Sequence, residues 1–206
     1  MTNLFIAYVA ALLLPLLFHS WKVAIISLGV QGFLMGFLLI YTHEESLAVA
    51  IEALNLFVIR GIFVPLVLLR AMKSISMPPD FTFIKKSVTR WLVAFFLVVM
   101  AFGFAWKMTS SNPVETLQVG TAAAAVLLSL HVLANQSHPL GQIIGLLTFE
   151  GGLTLVELLS PHAMPMKTYV GASIVFVILV LTCTTYLPLL LGTVRPSSHS
   201  DDEVVL

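Results

Sequence analysis

From Leu92 to Ala105 the chain carries no charged and no hydrogen-bonding side chain. Arg90-Trp91 opens this run and Trp106-Lys107 closes it, an aromatic and cationic belt at each end of a membrane-spanning helix. A span needs about 20 mostly apolar residues. The same criterion places spans near residues 3–20, 22–41, 46–72, 88–107, 117–136, 138–160 and 167–192. The expected fold is an all-α integral membrane protein of about seven transmembrane helices. The long third run is expected to tilt or to extend beyond the lipid, and Pro188 to kink or end the seventh.

Composition supports that reading. Of 206 residues 59% are hydrophobic and 10% charged, and mean hydropathy is +1.02. So little polar surface cannot cover a soluble domain, whereas a bilayer requires this balance. Net charge is zero with no basic block, which argues against nucleic acid as a partner. The single Cys183 excludes an internal disulfide and a cysteine metal cluster. The N-terminal segment has no basic residue before its apolar core and no clear small-residue cleavage site, so it reads as a retained first span.

Seven spans put the two chain ends on opposite sides of the membrane. Arg70, Lys73, Lys85, Lys86 and Arg90 lie around the connection between spans 3 and 4, with Lys22 and Arg195 on the same side. Lys107 and Lys167 lie opposite. The positive-inside rule then places the N-terminus outside and the C-terminus in the cytoplasm. The polar, acidic tail at 193–206 reads as a flexible cytoplasmic end.

Spans 1–3 and 5–7 read as copies. "VQGFL" at 30–34 and "FEGGL" at 149–153 align Gln31 with Glu150, and the same offset aligns His19 with His138. "VPLVLL" at 64–69 resembles "LPLLL" at 187–191 after a small shift. Equivalent helices lie four spans apart and cross in the same direction, so this is a parallel three-helix repeat joined by span 4. The chain divides accordingly into a first unit at 1–73, a loop and linking helix at 74–115, a second unit at 116–192 and the tail.

Glu52, Arg60, Glu150 and Glu157 sit inside these spans, with Gln31 and Asn55 as polar companions. At 1.5 Å per helical residue, Arg60 lies about 20 Å in from the outside and Glu150 about 18 Å in from the cytoplasmic side. Both fall near the middle of a roughly 30 Å hydrocarbon core. A charge there costs roughly 2.5–3.5 kcal/mol even on insertion scales, so such groups face protein or a hydrated cavity and usually have a partner. Two readings stay open on the residues alone. One is a proton relay, in which a carboxyl takes up and releases protons and a neighbouring arginine, moving closer or further away, switches its affinity. The other is a static Arg60–Glu150 pair that fixes helix packing. Glu52 and Glu157 lie nearer the outer face, and Glu157 is close enough to it to be simply hydrated. His19, His131 and His138 cluster near the cytoplasmic face, where they could carry protons or be ordinary interfacial residues.

Other motifs are weaker. "GFLMG" at 32–36 and "GQIIG" at 141–145 fit close helix packing. "THEES" at 42–46 lacks the spacing of a zinc helix and reads as a solvated loop. No cofactor motif, metal site or nucleophile–base constellation stands out, so no catalytic centre is expected in the chain itself.

"SLGVQGFLMGFLLI", "ALNLFVIRGIFVPLVLL" and above all "PLGQIIGLLTFEGGLTLV" resemble the membrane subunit hydrogenase-4 component E, HyfE, related in part to the three-span NuoK subunit of complex I. The likeness covers roughly residues 15–190 and rests on spaced membrane residues rather than one signature. By position Glu150 matches the family's intramembrane glutamate, and Arg60, before Pro65, its basic residue in the third span. Gln31 stands where a NuoK-like first copy would carry glutamate, a departure that takes a proton site out of that copy. Ser173 stands near an acidic position of some relatives, which counts against an exit through span 7.

The resemblance implies a membrane-arm subunit of a complex I-like or group 4 hydrogenase assembly in a bacterial or archaeal cytoplasmic membrane. Antiporter-like subunits of the NuoL/M/N type, other small membrane subunits and the bilayer would be its partners, with redox centres on other chains. Moving one charge against 100 mV costs about 2.3 kcal/mol, so the driving force must come from such a partner. The leading expectation is proton translocation, with Glu150 as carrier, Arg60 as electrostatic modulator and Glu52 or Glu157 as outer relay. A purely structural subunit and a stand-alone secondary transporter are the alternatives.

Overall fold

The computed structural model describes residues 2–18, 20–43, 46–74, 88–109, 112–158 and 166–193. These form helices α1 (Thr2–Phe18), α2 (Trp21–Thr42), α4 (Val88–Met108), α5 (Pro113–Asn135), α6 (Pro139–Leu158) and α7 (Met166–Thr193). Between α2 and α4 three segments abut end to end, α-helical at Leu47–Asn55, π-helical at Leu56–Phe63 and α-helical at Val64–Ser74, and together make α3. The described residues contain no strand. Helices α2 to α6 are each long and apolar enough to cross a membrane. They make the chain a multi-pass membrane protein by length and composition. The apolar stretches Thr2–Phe18 and Ser173–Leu187 are shorter than that measure.

Local chemistry sets several helix starts. The Ser46 hydroxyl accepts from the Val49 N–H at 3.2 Å and opens α3. The Asn112 side chain accepts from the Val114 N–H at 3.1 Å, with Pro113 in the first turn, where a missing N–H costs nothing. That cap starts α5 four residues before the apolar run that marks span 5. His138 Nδ1 accepts from the Leu140 N–H at 3.2 Å at the start of α6. The seventh helix continues past Pro188 to Thr193. A proline removes a single donor, and in apolar surroundings the remaining backbone groups find no better partner than the helix.

Glycine brings α2 and α3 together. A Cβ on Gly32 would lie 2.7 Å from both the Arg60 carbonyl carbon and the Gly61 nitrogen. Neither backbone atom can move aside alone. Gly29 faces Pro65 and the Gly61 carbonyl, and Gly36 faces the Phe57 ring. On α6, Gly152 packs on the Ala125–Val126 backbone of α5 and Gly145 on Leu133. Both small-residue motifs therefore serve packing within the chain. Helix α4 buries Ala94, Ala101 and Ala105 and leaves Leu92, Phe95, Phe96, Val99 and Phe104 exposed, an apolar outer face suited to lipid rather than water.

Candidate functional site

The π-helical turn carries the arginine. Wider i→i+5 bonding is rare and often marks functional sites. Here the Val64 N–H reaches back to the Ile59 carbonyl. Pro65 has no N–H to give Gly61, so one α-type bond is lost at this point and the change of register is eased. Gly32 and Gly61 let the widened turn lie directly on α2. Arg60 leaves it toward α6 and α7.

Arg60 Nη2 forms an ion pair with Glu150 Oε1 and donates to the Thr154 hydroxyl at 2.8 Å. Thr154, one turn beyond Glu150, donates in turn to the Glu150 backbone carbonyl at 3.1 Å and lies 3.2 Å from Oε1. The guanidinium carbon stands 4.7 Å from the centre of the Phe176 ring on α7, a cation–π contact. Three helices thus converge on one charge pair. The side chains are 15% exposed for Arg60 and 34% for Glu150, so the pair is largely but not fully enclosed by its own chain.

The surroundings hold more polar atoms than the pair uses. Among the described residues, Glu150 Oε2, the Tyr8 hydroxyl and Gln31 Oε1 are buried without a hydrogen-bond partner. Tyr8 is 0% exposed and Gln31 3%. Gln31 Nε2 donates to the Ser27 hydroxyl at 3.3 Å, and Ser27 donates to the Ala11 carbonyl. A buried polar atom left unpaired costs about 1–3 kcal/mol, so one within the ion pair and two more near it call for a cause.

The other expected residues divide between the two ends of the bundle. Glu52 is half-buried on α3, on the same side as Glu157, which is exposed near the end of α6. Three residues after Glu52, Asn55 donates to the Ser173 hydroxyl of α7. At the opposite end His131 is half-buried on α5, with Asn135 Nδ2 3.3 Å from its Nδ1. His138 meets Trp21 edge-on at 5.4 Å between ring centres. Burial lowers the proton affinity of His138, which lies just before α6. The structure joins Arg60 to Glu150, while Glu52, Glu157, His131 and His138 lie toward the ends of their helices. His19, Glu44 and Glu45 lie outside the described residues. No group of three or more metal-ligating side chains occurs among the described residues.

Sequence reasoning reached the pair through depth in the span but missed Tyr8, Thr154 and Phe176. Thr154 was within reach, since it follows Glu150 at the i+4 spacing that puts two side chains on one helix face. Tyr8 and Phe176 had no such signal. Compared with protein-family models, curated proteins and solved structures, the chain finds no match.

Proposed function

We propose that the chain is a membrane-arm subunit of a complex I-like or group 4 hydrogenase-type assembly and contributes to proton translocation. In this reading it crosses a bacterial or archaeal cytoplasmic membrane seven times, N-terminus outside and C-terminus in the cytoplasm. Spans 1–3 and 5–7 are two parallel NuoK-like units, and antiporter-like and small membrane subunits pack around them. Glu150 carries the proton and Arg60 tunes its affinity. Glu52 or Glu157 relays on the outer side, and His131 and His138 stand at the cytoplasmic entrance.

One observation supports this most. Glu150 has one oxygen held by Arg60 and the other buried with no partner. A carboxylate serving only as a counter-ion is best satisfied at both oxygens. One with an unpartnered oxygen has a place for a proton. The test is Glu150→Gln in the reconstituted assembly, which assembles and loses proton translocation; unchanged pumping contradicts the proposal.

A second reading, a structural subunit, draws on the Thr154 and Phe176 contacts that complete the arginine's surroundings. Under it Glu150→Gln impairs assembly or stability rather than translocation alone.

A further inference from the structure

A small cavity opens beside the ion pair, lined by Leu28, Gln31, Arg60, Gly151 and Phe176 among others. Its interior admits the centre of a water molecule over about 10 Å³, room for roughly one water. Apolar voids stay dry, whereas a polar one fills when it offers the water about two to four partners.

The partners are present and unused. Gln31 Oε1 is an acceptor, buried to 3% exposure in the residue as a whole and without a hydrogen bond. Arg60 supplies N–H donors, with Nη2 already committed to Glu150 and Thr154 and Nη1 on the side of Gly151. A Cβ built on Gly151 would lie 3.8 Å from Arg60 Nη1 and 3.8 Å from the Tyr8 hydroxyl, and apart from α6 itself these are its neighbours within 4 Å. Gly151 therefore leaves open a gap with a cation on one side and an unpartnered hydroxyl on the other.

We infer that this cavity binds one internal water, held by Arg60 and Gln31. A positive guanidinium on the wall disfavours a metal cation there, and its pairing with Glu150 leaves no net charge to attract an anion. A neutral molecule that both donates and accepts fits both groups. It pairs the Gln31 oxygen and gives Arg60 a partner on the face turned away from Glu150. The arginine then keeps a hydrogen bond when its contact with the carboxylate loosens. This site goes beyond the proton-carrier reading and does not depend on it.

Gly151→Ala tests the site, because its methyl group fits at ordinary contact distance and fills the gap. The full chain is reconstituted in lipid vesicles, and infrared spectra in H₂¹⁶O and H₂¹⁸O isolate the O–H stretch of a trapped water. The expected result is one isotope-sensitive band in the parent chain, lost in Gly151→Ala and in Gln31→Leu and kept in Gly103→Ala, whose site is open. Far-UV circular dichroism shows which variants hold their helices. Should Gly151→Ala fail that check, Gln31→Leu decides alone. No trapped-water band in the parent, or a band unmoved by both substitutions, overturns the inference. The band does not require transport, so a failure of the Glu150→Gln experiment is separate from a failure here.

Discussion

Gly32→Ala and Gly103→Ala are the same chemical change on two helices, and they are expected to move stability in opposite directions. At Gly32 the added carbon would meet the Arg60 carbonyl carbon and the Gly61 nitrogen at 2.7 Å, against 3.4–4 Å for ordinary contact. Closing that difference pushes α2 and the π-helical turn apart by several tenths of an ångström, and both clashing atoms are backbone. Overpacking of this kind costs about 1–3 kcal/mol, and this case belongs at the upper end because no side chain can turn aside. At Gly103 a new Cβ meets nothing within 4 Å. There alanine gains about 0.4–1 kcal/mol, since it has less freedom to lose on folding and is the better helix former. Unfolding of the full chain in mixed micelles, followed by far-UV circular dichroism against denaturing detergent, measures both. A loss of about 3 kcal/mol at 32 with a small gain at 103 is the expected pattern. A silent Gly32→Ala, or the same sign at both sites, refutes the packing argument.

Three further outcomes follow from the same contacts. Arg60→Met alone leaves a carboxylate without its cation and should cost about 3 kcal/mol, the lower end for a buried pair because a third of the Glu150 side chain is open. Arg60→Met with Glu150→Gln should recover most of that, and the unfolding midpoints of a double-mutant cycle measure it; additive losses would show that the two residues do not act as a pair. His138 Nδ1 must be unprotonated to accept from Leu140, and burial also favours the neutral ring. The unfolded chain therefore binds more protons, so this stabilisation is complete above pH 6.5 and falls as pH drops below it toward the folded value. His138→Asn keeps an acceptor at the cap and should flatten that dependence between pH 5 and 8, read as unfolding midpoints; an unchanged slope removes the argument. Asn112→Ala should cost about 1 kcal/mol through loss of the α5 cap, and an unshifted midpoint would show that the cap is not used.

Much of the fold was legible because a bilayer imposes one strong rule, a long apolar run for each crossing. Helices α2 to α6 appear where those runs lie, with ends within about two residues of them except at the start of α5, which the Asn112 cap moves earlier. The charge pair was half legible. Depth placed Arg60 and Glu150 at one level, but contact also requires the right faces to meet, and those depend on how the helices rotate and cross. The π-helical turn sets that rotation for α3, and nothing in "LFVIRGIF" separates it from an α-helix by composition. Pro65 and the facing glycines hint at it, but only once α2 and α3 are known to touch. Tyr8 was invisible for a related reason. A tyrosine in an apolar span can sit in lipid, at an interface or in a core, and its polar end acquires meaning only beside an ion pair.

The proposed proton-carrier role turns on whether the carboxyl of Glu150 changes its ionisation inside the helical bundle. Solid-state NMR of the full chain in lipid, with ¹³C-labelled glutamate carboxyls and Glu150→Gln to assign the signal, reads that state directly across a pH series. The account predicts a Glu150 resonance that moves from the ionised to the protonated position within the range where the protein stays folded. A resonance fixed at the ionised position throughout, with Arg60 always paired, would contradict it and leave the residue a packing role.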